Sequence, residues 1–141
     1  MKLLDYLKAG GVAFGLLIAN HVIAIVAVTV YALLINPGQP SEFYAKAAES
    51  IVVWTVHICS PILFFITGYL LTRTRPERNG LQFATMFCAV YAVIDIGIVG
   101  VNGLRDVMLL LSMFINLLAA VGGAFFAGIL SAKTAEQADE S

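Results

Sequence analysis

The stretch 107–132, VMLLLSMFINLLAAVGGAFFAGILSA, carries no charged side chain from end to end. A helix rises about 1.5 Å per residue, so roughly 20 apolar residues cross a hydrocarbon core of about 30 Å, and this stretch is longer than that. Moving toward the N-terminus, three more stretches have the same character. Residues 79–104 hold a single charge, Asp95, while 50–72 and 9–41 hold none. The composition agrees: of 141 residues 60% are hydrophobic and 12% charged, with a mean hydropathy of +0.92. A soluble domain carries about 25% charged residues.

These gaps between charges predict an all-α membrane protein with four transmembrane helices, near 10–35, 43–72, 79–101 and 105–131. Residues 1–131 then form one domain, and 132–141 a polar tail, read as solvated and frayed. The first helix follows Lys2 and Lys8 as a signal peptide would, but its apolar run far exceeds the roughly 7–15 residues of a signal sequence, so a retained helix is expected. Asn36-Pro37-Gly38-Gln39-Pro40 stops it, and Ser41 and Glu42 offer a cap and a first-turn acid to the next. Arg73 to Gly80 is a short basic link. Asn102-Gly103 reads as a tight turn, so the spans are expected to pack as an antiparallel bundle.

Lys2, Lys8, Arg73, Arg75, Arg78 and Lys133 fall on one side of this arrangement and Lys46 and Arg105 on the other. The positive-inside rule then puts both termini in the cytoplasm, in a multi-pass protein of the cytoplasmic (inner) membrane. Tyr31, Phe43 and Tyr44 belong to the outer aromatic belt, Tyr6 and Tyr69 to the inner one.

Several function classes drop out. A formal charge of −1 offers no electrostatic footprint for nucleic acid. Cys59 and Cys88 lie in apolar runs without metal-ligand spacing, and are expected as buried thiols that act as small hydrophobes. Ser60 precedes Pro61 without a Gly-x-Ser-x-Gly elbow, and there is no phosphate-binding glycine loop. No catalytic constellation or metal site is expected.

The informative residues are polar ones inside spans, because a polar group in lipid must face protein or a wet cavity. At 100° per residue, His57, Ser60, Pro61 and Gly68 share one sector of the second helix. Cys88, Tyr91 and Asp95 share one on the third, and Ser112, Asn116, Ala119, Gly123 and Ala127 one on the fourth. His57, Asp95 and Asn116 lie at one depth, about 5–8 Å outward of the midplane, with His21 near the centre. The expected site is an outward-opening polar pocket of His57, Asp95, Asn116, Tyr91 and Ser112, serving transport or small-ligand binding. Pro61 adds an unbonded His57 carbonyl. Asp95 must be protonated, wet or paired, with His57 and Arg105 as candidate partners. The competing reading is an accessory subunit whose polar groups only fix helix register. No cofactor is expected; the alternative is haem b on His21 and His57.

Small-residue ridges on the fourth helix (Ala119, Gly123, Ala127) and the first (Gly11, Gly15, Ala19) suit close helix packing. They serve the monomer or the seam of a homo-oligomer. Four helices enclose little interior, so a homo-oligomer or a larger membrane complex is the expected working form.

Overall fold

The computed structural model describes residues 3–99 and 107–139. These form α1 (Leu3–Val30), a π-helical turn (Tyr31–Ile35), α2 (Ser41–Arg73), α3 (Gly80–Val99) and α4 (Val107–Asp139). All four α-helices are long and apolar enough to cross a membrane. Large apolar side chains cover their outer faces, among them Val93 at 71% exposure, Leu7 at 69% and Trp54 at 68%. Water would penalise that surface, whereas lipid chains solvate it. The chain is a multi-pass membrane protein.

Two helices run past the ends that the charges suggest. α1 begins at Leu3 rather than near residue 10, with Asp5 in its first turn, where an acid complements the helix dipole. α4 continues to Asp139 instead of stopping at 131 in a frayed tail. Ala, Lys, Glu and Gln, which fill residues 132–138 together with one Thr, are good helix formers, and neither Gly nor Pro interrupts them. A charge marks the edge of a lipid-facing segment; it does not end a helix.

The α1–α2 connection is tied down locally. The Asn36 N–H donates to the Tyr31 carbonyl at 2.9 Å, closing the π turn, and Gly38 takes φ +80°, a left-handed conformation that suits glycine. Tyr44 reaches back from α2: its hydroxyl donates to the Asn36 carbonyl at 2.6 Å and accepts the Gln39 N–H at 2.9 Å. Tyr31 stacks on Phe43 beside it. Pro61 lies within α2 without ending it. At the other end of the molecule, the Asn79 side chain caps α3 by accepting the Gln82 N–H at 3.0 Å.

The core pairs large residues with small ones. Phe64 of α2 and Phe83, Phe87 and Tyr91 of α3 are buried against Ala9 and Ala13 of α1 and Ala120 and Ala124 of α4. Phe64 meets Tyr91 edge-on, with ring centroids 4.9 Å apart. Lipid tails are as apolar as leucine, so such packing, more than expulsion from water, holds the helices together. The most extensive interface joins α2 to α4; α1 packs on α2 and α3, and α3 on α4. Along α2 and α4 the contacts depend on glycine: a Cβ on Gly68 would run into the Ala120 carbonyl, and one on Gly123 into the Phe65 carbonyl.

The two ridges of small residues have different environments. Gly123 and Ala127 are buried, and Ala119 packs against the core. Gly11 and Gly15 are exposed, with nothing within 4 Å of where a Cβ would stand, and Ala19 is half-buried. The Asn102-Gly103 turn lies outside the described residues.

Candidate functional site

Among the described residues, polar side chains of different helices meet at two places in the bundle. In the first, the Asn20 amide of α1 donates to the Ser60 hydroxyl of α2 at 3.1 Å and to the Tyr91 hydroxyl of α3 at 3.2 Å. All three are buried, Ser60 completely. The sequence marks Asn20 and Ser60 as polar but gives no sign that they pair, because their meeting depends on how α1 and α2 are rotated about their axes. Tyr91, expected in the pocket, instead belongs to this node.

The second place joins α2 and α4. His57 Nδ1 lies 2.7 Å from the Val53 carbonyl, one turn earlier on its own helix, and Nε2 lies 3.0 Å from the Ser112 hydroxyl. A carbonyl only accepts, so Nδ1 carries the proton; in the neutral ring Nε2 then accepts from Ser112. Both ring nitrogens thus have protein partners. A haem iron at this imidazole would have to displace Ser112.

Asp95 is hydrogen-bonded to neither, among the described residues. It is half-buried on α3, and among the described residues no hydrogen bond or ion pair joins it to His57 or to any other side chain. Two ionisable groups interact electrostatically with its carboxylate, His21 of α1 and Tyr91 one turn earlier on α3. His21 is exposed and donates Nδ1–H to the Leu17 carbonyl at 2.8 Å, which leaves Nε2 pointing away from its own backbone. Arg105, the other expected partner, lies outside the described residues.

Asn116 is buried on α4, and its Oδ1 has no hydrogen-bond partner among the described residues. Its backbone carbonyl receives a long contact from the Cys88 thiol, 4.0 Å away. A buried acceptor left open in this way is a place for a water or a ligand donor. Of the five expected pocket residues, the structure brings His57 and Ser112 into contact and places Tyr91, Asp95 and Asn116 in three further environments. No group of three or more His, Cys, Asp or Glu side chains that could hold a metal occurs among the described residues. No protein-family model matches this chain, and neither a curated protein nor a solved structure is detectably similar to it.

Proposed function

We propose that the protein binds or transports a small polar ligand in a proton-linked manner, in the cytoplasmic membrane, as a homo-oligomer or with a larger partner. Asp95 of α3, within electrostatic range of His21 on α1, is its ionisable centre. The observation that carries this reading is a half-buried carboxylate inside a span without a fixed partner among the described residues. At the centre of a span such a group costs about 2.5–3.5 kcal/mol even on the lenient scale and less toward its end, and a purely structural acid would offset that cost with a hydrogen bond. His21 is exposed on α1 and Asp95 half-buried on the neighbouring α3, so a second copy or a partner helix packed on that side would enclose them. The open Asn116 acceptor supplies a polar contact of the kind a ligand needs.

The proposed antiparallel arrangement, with both termini cytoplasmic, is supported by residue pairings. Asn20 meets Ser60 near the middle of α1 and α2, and Val12 shares a cavity with Leu71, so numbers rise on one helix as they fall on the other. The distribution of Lys and Arg sets the orientation.

The second reading, an accessory subunit, is favoured by the direct bonding of Asn20, Ser60 and Tyr91 and of His57 and Ser112, which serves register without any ligand. Proteoliposomes with a trapped pH-sensitive dye separate the two. Wild-type protein is expected to carry protons when a pH gradient is imposed, and Asp95→Asn, nearly isosteric, to abolish this while its thermal stability in detergent is unchanged. Wild-type vesicles indistinguishable from empty ones would leave the accessory role standing.

A further inference from the structure

At the basic end of the bundle a cavity of about 560 Å³ opens between α1, the end of α2 and the start of α3. One part of its wall is cationic: Lys8 of α1, and Arg75 and Arg78 of the 74–79 link. The remainder is Val12, Leu71 and Phe83, with Gly11 contributing no side chain at all. The Thr74 hydroxyl at the rim already donates to the Leu70 carbonyl at 2.9 Å. The acids of this region, Asp5 and Glu77, line a neighbouring cavity of about 490 Å³ that shares the three cations.

The cations differ in how they are held. Arg78 is fixed: its guanidinium lies 3.4 Å over the Phe83 ring and donates to the Leu71 carbonyl at 3.0 Å. Its Nε has no hydrogen-bond partner among the described residues. Arg75 is well exposed and stands 3.9 Å from Glu77, a loose contact at the surface. Lys8 is exposed. Burial pushes the Arg78 guanidinium below its ordinary value and Asp5 opposes that, yet it stays charged at any physiological pH.

The geometry points to a binding site for an anionic glycerophospholipid, its phosphate held by Lys8, Arg75 and Arg78 and an acyl chain laid along Gly11, Val12 and Leu71. Guanidinium and ammonium groups are strong phosphate donors, and basic pockets between helices at the membrane boundary suit such headgroups. A free phosphate would need only the cations. The apolar floor continues from them into the span, at the level where Arg73 and Tyr69 mark the end of α2. Charge and shape together therefore select a lipid.

The test uses the full chain in detergent micelles, with phosphatidylglycerol and phosphatidylcholine of identical acyl chains, read by native mass spectrometry. Phosphatidylglycerol is expected to be retained over phosphatidylcholine. Lys8→Gln and Arg75→Gln, both at exposed positions, should each weaken that preference by about fivefold. Gly11→Leu has open space to occupy, so it should fold normally and reduce retention of both lipids. Equal retention of the two lipids, or unchanged preference in both charge variants, overturns the proposal. Displacement by millimolar inorganic phosphate, or no effect of Gly11→Leu, would reduce the site to a simple anion site and overturn the lipid assignment.

Discussion

A single amide holds three helices in register. Asn20 spends both N–H groups on Ser60 and Tyr91, so its removal strands two hydroxyls at once. They are not equally harmed. Ser60 can turn to a carbonyl one turn back on its own helix, as Thr55 already does with Ile51 at 2.7 Å, whereas a phenol cannot reach its own backbone. Asn20→Leu is therefore expected to cost about 1–2 kcal/mol, most of it from Tyr91. Tyr91→Phe alone should cost about 0.6 kcal/mol, the average for an interhelical hydrogen bond in a membrane protein. In the double variant the two losses should overlap, because both remove the same bond. Denaturation in mixed micelles measures all three; strictly additive losses would show that Asn20 and Tyr91 do not interact. His57 offers a comparable case. With Nδ1 tied to Val53, Ser112→Ala removes the other ring contact, and an equally small destabilisation is expected.

At the scale of elements, glycine decides which helices touch. Gly68 and Gly123 lie where the α2 and α4 backbones meet, so Gly68→Leu or Gly123→Leu must push the helices apart, at roughly 1–3 kcal/mol or more. Gly15→Leu on α1 meets open space and should leave the monomer's stability unchanged. If it disrupts a homo-oligomer seen by size in detergent, the exposed α1 ridge is the seam. Wild-type stability for Gly123→Leu would contradict the α2–α4 packing. The existence of these elements was legible in the sequence because uncharged stretches of this length have few alternatives. Their ends were not, since Lys8 and Lys133 sit within helices whose backbone bonding is indifferent to one charge. The site was legible only as a set of residues. A helical wheel places Asp95 and Tyr91 on one face of α3, but which partner each meets depends on the order of helices around the bundle. Here α1 and α3 are neighbours, so Tyr91 meets Asn20, and His21 comes within electrostatic range of Asp95; α2 and α4 are neighbours, so His57 meets Ser112.

At the scale of the whole molecule, the two ends of the bundle differ in charge. The end that holds Lys8, Arg73, Arg75 and Arg78 also carries the proposed lipid site, while at the opposite end the α1–α2 connection is tied down through Tyr44, Asn36 and Gln39. Lysines and arginines near short links resist translocation, and six of the eight belong to the first side. A reporter active only in the cytoplasm should therefore work when fused after Ser141, and one active only outside should work when inserted within 36–40. The 74–79 link, short and flanked by two spans, should weigh most in this. Arg73→Gln with Arg75→Gln removes two of the three cations at the end of α2 and in this link and leaves Arg78 on Phe83, so the fold should persist while the bias falls to four against two. Adding lysine at Gln39 and at Ser41 on that background equalises the count, and the two reporters should then both give signal from a mixed population. A Ser141 fusion that is silent in the cytoplasm in the otherwise unaltered protein would reverse the orientation, placing the Lys8 and Arg78 cavity in the outer leaflet and its phospholipid with it.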